Sequence, residues 1–242
     1  MPFNRDSNSY IIIFVAVMVG IVAISLAFMN SALQPTIKEN EVLDKKAQIL
    51  SSVIVGKELT KDFVDSEYKS KIEEFLVDSA GNLLPADASN KPFNVDFRKE
   101  IRKPEGKRTY PVFKYTDGAE SYYIFPLEGQ GLWDRIWGYI SVKGDFNTIH
   151  GSSFGHKGET PGLGAIIVEN WFTGQFHDKK AFNNEGVYAL DVLKGQGNAA
   201  VKTDPYKVDG ISGATITSQG VNAMLAKGFD MYKPFFDQNT VK

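Results

Sequence analysis

Apolar residues run almost unbroken from Tyr10 to Met29, interrupted only by Gly20 and Ser25. At helical rise, about twenty such residues match the hydrocarbon core of a bilayer, so residues 10–29 predict one transmembrane helix behind a short tail, 1–9. A cleaved signal peptide is the alternative, with Ser25-Leu26-Ala27 as its small-residue cleavage site. The run exceeds the usual apolar region of a signal, however, and hardly any positive charge precedes it. After a junction at 30–35, the pattern becomes mixed. Val42, Ala47, Ile49 and Leu50 among charges predict an amphipathic helix over 39–55, and Phe63, Ile72, Phe75 and Leu76 predict another over 63–77. The Gly, Asn, Pro and Ser content of 79–92 predicts a loop.

Strand patterns follow. Residues 110–115 and 121–127 flank Thr116-Asp117-Gly118 as a hairpin, and 137–142 supply a third strand. Between them, the turn from Gly129 to Trp133 presents Leu132 and Trp133, which by residue type belong in a core and alternatively cover a ligand or partner. Residues 146–164 predict a long ordered loop, 165–168 a strand, 170–176 a helix and 187–193 another strand. Val221, Met224, Leu225, Gly228 and Tyr232 then recur at helical spacing, with Thr217 or Ser218 as the natural N-cap. Strands and helices are mixed without regular βαβ units, so residues 30–242 form one soluble α+β domain behind the anchor.

Composition narrows the chemistry more than the fold. The chain is 43% hydrophobic with a net charge of −2, ordinary for a globular core and no electrostatic case for nucleic acid. Arg98, Lys99, Arg102, Lys103, Lys107 and Arg108 form the one basic cluster, which reads as a solvated loop or as a contact for lipid headgroups or for another protein of a complex. The absence of cysteine excludes thiolate iron–sulfur clusters, disulfides and thiol catalysis. Charges flanking the anchor balance on both sides and leave its orientation open.

The stretch Asp209-Gly-Ile-Ser-Gly-Ala-Thr-Ile-Thr-Ser218 concentrates the candidate chemistry. Two glycines describe a tight turn, and the turn feeds a helix N-terminus, where free N–H groups and the dipole favour a phosphate. The hydroxyls of Ser212, Thr215, Thr217 and Ser218 surround the same point. A nucleophile elbow is a poor reading, because the final glycine of G-x-S-x-G is missing and the approach is polar. His156 and Glu159 stand three apart without a third metal ligand, so no metal site and no catalytic residue are assigned. Neither a P-loop nor a dinucleotide fingerprint is present.

Asp209 to Thr215 resembles the Asp-x-x-Ser/Thr-Gly-Ala-Thr acceptor motif of the FMN-binding domain family. Glu159-Thr-Pro-Gly-Leu-Gly164 is similar to that family's second signature. With the anchor and the stretch from Phe125 to Trp133, nearly the whole chain looks like the C subunits of Na+-translocating NADH:quinone reductases. The G subunits of Rnf-type ferredoxin:NAD+ reductases are a related alternative. The resemblance implies a covalent FMN, joined by its phosphate to Thr215 by a separate Mg2+-dependent flavin transferase, with an FMN-binding region at about 130–235. It further implies that Ser212, Gly213, Ala214, Thr217 and Asp209 shape the phosphate turn. Glu159, Thr160, Gly162, Leu163 and Gly164 would address the ring. The expected setting is a bacterial inner-membrane complex, with the flavin domain periplasmic and the other membrane subunits as partners. A tethered module that binds a phosphorylated ligand reversibly is the reading from another functional class.

Overall fold

The structure, a computed structural model, describes residues 7–85 and 91–240. Chain contacts define two compact units with their boundary between Lys45 and Lys46. Helix α1, Asn8–Ser51, is a single helix of 44 residues that is long and apolar enough to cross a membrane. Its large apolar side chains between Ile11 and Met29 are exposed, as a lipid-facing segment requires. The expected junction at 30–35 does not form, and the helix passes through Pro35. Proline removes only one backbone donor there. The turn before it is supported by Gln34 Nε2 donating to Asn30 Oδ1 at 3.3 Å. The helix stops at Ser51, short of the expected 55, where the hydroxyls of Ser51 and Ser52 turn back onto the carbonyls of Ala47 and Ile49.

The second unit begins within the last turns of α1, where Ile49 and Leu50 are fully buried. Helix α2, Lys61–Lys71, gives way to strand β1, Ile72–Asp78. The single helix expected over 63–77 is therefore wrong in its second half. Ile72, Phe75 and Leu76 lie opposite Tyr115, Val112 and Pro111 of the next strand, and this long-range pairing overrides a local pattern compatible with either state. After the short helix α3, Phe97–Glu100, come β2, Thr109–Asp117, and β3, Glu120–Gln130, which form the expected hairpin with longer arms. Strands β4, Arg135–Val142, and β5, Ile149–His156, complete an antiparallel sheet in the order β1-β2-β3-β4-β5.

Strand β5 occupies much of the expected loop 146–164. Its Gly and Ser residues read as loop from composition, but they are small because neighbours crowd them. A Cβ at Gly155 would lie 2.5 Å from the Trp137 ring, and one at Gly151 would lie 2.5 Å from the Ser52 carbonyl oxygen. Residues 165–168, expected as strand, fall within a 3-10 helix, Gly164–Val168. The Thr160 carbonyl takes the N–H groups of Leu163 and Ala165 and closes the backbone locally. Helix α4, Asn170–Thr173, follows. The strand expected at 187–193 is reduced to β6, Asp191–Val192. After α5, Ala200–Thr203, strand β7, Lys207–Val208, pairs with β6 in parallel.

Helix α6, Thr215–Asn239, lies on β3 and closes the core. Val221, Met224, Leu225, Gly228 and Tyr232, which its periodicity indicated, are all buried. Ring centroids of Phe125 and Tyr232 lie 4.7 Å apart, and those of Phe125 and Phe236 lie 4.8 Å apart. The fold is thus the α+β domain expected behind an apolar N-terminal helix.

Candidate functional site

Strand β7 delivers the chain to the stretch 209–218 with Val208 and Ile211 fully buried, so the turn between them hangs from two apolar anchors. Asp209 turns its carboxylate onto a neighbouring loop. It accepts from Gly197 N at 2.9 Å, Asn198 N at 3.0 Å and Asn198 Nδ2 at 2.6 Å. Burial works to raise its pKa. The hydrogen bonds from Asn198 and Gly197 and the charge of Lys179 together outweigh that, holding the carboxyl below its ordinary range. Asp209 N and Gln175 Oε1, 2.9 Å apart, fasten the same point to the residues after α4.

Gly213 follows at φ +79°, a left-handed conformation that favours glycine. A Cβ added to it would lie 3.0 Å from Leu163 Cδ2, so the two signature segments meet here. Ala214 is the helix N-cap, and it makes no side-chain cap hydrogen bond. Capping by Thr217 or Ser218 is therefore corrected: both lie inside the first turn, each 1% exposed. Ser218 Oγ accepts from Ile211 N at 2.9 Å and donates to Ala214 O at 3.0 Å, which braces the turn from within. Thr215 is the first helical residue and is exposed, together with Ser212, Gly213 and Ile216. A free hydroxyl thus stands beside the unsatisfied N–H groups that open a helix of 25 residues.

The loop from Glu159 to Gly164 faces this turn. Thr160 and Leu163 are exposed, while Glu159 is buried. Thr160 Oγ1 accepts from Trp133 Nε1 at 3.1 Å. Glu159 Oε1 accepts from Trp133 N at 3.0 Å, and Oε2 accepts from Thr217 Oγ1 at 2.6 Å. Glu159, Thr160, Leu163 and Gly164 are in this way gathered with Gly213 and Thr217. Asp209, by contrast, serves the 195–198 loop. Gly162, at φ +74°, shapes the loop, with nothing within 4 Å of a Cβ built on it. Among the described residues there is no group of three His, Asp or Glu that would hold a metal ion.

Leu132 and Trp133 are not core residues; they are 47% and 67% exposed. Leu163, Val168, Trp171 and Ile216 are also exposed. Ile216 is the signal that periodicity could have supplied: an apolar residue directly after Thr215, off the buried face of α6. Leu163, against Gly213, and Ile216, next to Thr215, set exposed apolar side chains beside a hydroxyl and a helix N-terminus, which suits a ligand with a flat apolar body and a phosphate. The residues present therefore fit FMN.

Residues 131–230 match the model of the FMN-binding domain family, the class that this turn, helix and loop define. Among relatives, the C subunit of the Na(+)-translocating NADH-quinone reductase of Neisseria meningitidis serogroup A is 32% identical over 98% of this chain and 96% of its own length. The corresponding Pseudomonas aeruginosa protein is 28% identical, covering 95% of this chain and 96% of the relative. The crystal structure of the same protein from Parabacteroides distasonis superposes with a TM-score of 0.72 at 38% identity, covering 84% of this chain and 96% of that one. Shewanella oneidensis NqrC gives 0.71 at 27% identity, covering 83% and 98%. The chain belongs to the family of C subunits of Na(+)-translocating NADH-quinone reductases.

Proposed function

We propose that this chain is the electron-relay subunit of such a complex and carries FMN as a phosphate ester of Thr215. The observation that carries the reading is the exposed Thr215 hydroxyl at the opening of α6, on a turn that touches the Leu163 loop. Attachment forms a Thr215 Oγ–phosphorus bond while the anhydride bond of FAD breaks. AMP leaves, and the hydroxyl proton passes to a base on the flavin transferase. Exposure of Ser212, Gly213 and Thr215 gives that enzyme access.

FMN, when bound, supplies the capacity to accept and pass on electrons. The remaining tasks fall to the chain. The N–H groups opening α6 and the Ser212 hydroxyl would hold the phosphate, whose charge suits the helix dipole. Leu163 and Trp133 would cover the ring system, and Thr160 would address its polar edge. A covalent link removes the need for tight reversible binding, which agrees with how open these residues are. The N-terminal helix would anchor the chain in the bacterial inner membrane beside the other subunits, with the flavin domain on the periplasmic side.

The test is the intact mass of the denatured protein after co-production with a flavin transferase. Wild type should gain the mass of FMN less water, and Thr215→Ala should gain none. Flavin that leaves on denaturation would favour a reversible binding module. For orientation, the cysteine-free chain permits a single Lys194→Cys probe at an exposed site. Labelling by an impermeant maleimide from the periplasm is expected; labelling only after lysis would reverse the orientation.

A further inference from the structure

Of the two carboxylates singled out around the flavin, Asp209 and Glu159, Glu159 is the one the fold withdraws from solvent, at 4% exposure. Its oxygens are engaged by two separate elements, the β3–β4 turn through Trp133 N and the first turn of α6 through the Thr217 hydroxyl. The backbone closes on it from both sides. A Cβ at Gly131 or at Gly164 would strike the carboxylate, and the one at Gly164 would also lie 2.6 Å from Thr217 Oγ1. Glu159 makes no ion pair with Lys, Arg or His among the described residues. Burying an acid costs free energy unless other groups compensate it. Here the compensation comes from two hydrogen bonds and the positive end of α6, since Thr217 is the third residue of that helix. An apolar side chain of the same size would fill the space without that cost, but it would not join the two elements.

We infer that Glu159 is a positioning residue that acts on the flavin without touching it. It fastens the turn bearing Trp133 and the helix opening bearing Thr215 into one unit. It also sets a negative charge behind Trp133 and the opening of α6, the surface that would carry FMN. Fastening keeps the aromatic ring and the acceptor hydroxyl in register, so that a flavin tethered at one end meets its cover at the other. The charge opposes electron uptake by a nearby group, so it lowers the reduction potential of the flavin. The effect on potential rests on the covalent-FMN reading above; the fastening does not.

The full-length chain in detergent, with and without co-produced flavin transferase, separates the two. Glu159→Gln keeps the shape. Its amide oxygen can accept from Trp133 N, and its amide nitrogen can donate to Thr217, while the charge is gone. Glu159→Ala removes the fastening as well. In flavin-free protein, hydrogen exchange at the Trp133 amide should accelerate by about tenfold or more in Glu159→Ala and by less than about threefold in Glu159→Gln. In flavin-loaded protein, the midpoint potential of Glu159→Gln should rise above that of wild type. Glu159→Ala should take up less FMN at equal exposure to transferase.

Trp133 exchange in Glu159→Ala that matches wild type would overturn the fastening. A potential in Glu159→Gln that matches wild type would overturn the charge effect. If Glu159→Ala does not fold, Thr217→Val breaks the helix-side bond alone. Faster exchange at Trp133, on the other element, would then support the coupling, and unchanged exchange would defeat it. If wild type takes up no flavin, the covalent reading fails by itself, while the exchange measurements still decide the fastening.

Discussion

The two ends of α6 are held in place by different means. Along its second half, Phe229, Tyr232, Phe235 and Phe236 bury their rings against Phe125, Phe146 and Phe182, and position follows from the area removed from water. At its first turn the same helix presents Thr215 and Ile216 to solvent. There its neighbours are fixed by few groups: Ser218, the Glu159 carboxylate and the close backbone approach at Gly164. A ring-packed contact tolerates small shifts, because its energy spreads over many atoms. A contact made by two hydrogen bonds does not. The difference teaches that stability and the proposed cofactor geometry reside at opposite ends of one helix, and substitutions can pull them apart.

Phe125→Ala should have the largest effect on stability, a loss of about 3–5 kcal/mol read by denaturant unfolding, with unchanged covalent FMN per folded molecule. A loss below about 1 kcal/mol would mean that the ring cluster does not hold α6. Next comes Gly164→Ala, whose methyl group meets Glu159 and Thr217. It should cost about 1–3 kcal/mol and also slow flavin attachment measured by mass, the mixed outcome that marks the boundary between the two ends. Tyr232→Phe removes the hydroxyl that donates to Pro111 O at 2.8 Å. It should cost about 1 kcal/mol and leave attachment at the wild-type rate.

Smaller still is the contribution of Asp209. Its folded pKa is depressed, so its stabilisation is present in full above the unfolded value of about 4 and is lost as pH falls through the folded value. Thermal unfolding followed between neutral and acid pH should show Asp209→Asn differing from wild type above about pH 4 and converging with it below. A difference that persists into acid would assign the effect to geometry. Thr215→Ala should change stability least, within about 0.5 kcal/mol, while abolishing attachment. A large loss of stability in that variant would erase the separation altogether.

The turn at 209–215 was legible because its pattern is local. Gly213, Ala214 and Thr215 are adjacent, and a helix obeying a 3.6-residue period follows them. The hairpin 109–130 was legible for the same reason, a turn sequence between alternating strands. Strand β5 was not, because Gly151 and Gly155 are small on account of Ser52 and Trp137, residues far away in the chain. Nor was the end of α2 at Lys71, since only pairing with β2 shows that Ile72 starts a strand. Trp133 belonged to the core by residue type, and its exposure follows from the tight turn at Gly131.

The amino-acid sequence by itself determined what depends on runs and short motifs: an apolar stretch of bilayer length, an α+β mixture of elements, and a Ser-Gly-Ala-Thr motif at a helix N-terminus. Tertiary structure alone decided that α6 begins at Thr215, that β5 fills a glycine-rich stretch, and that Glu159 lies buried between Trp133 and Thr217. The physical reason is range. Period and turn chemistry act over a few residues, whereas burial, strand pairing and a carboxylate shared between two elements exist only once distant segments meet.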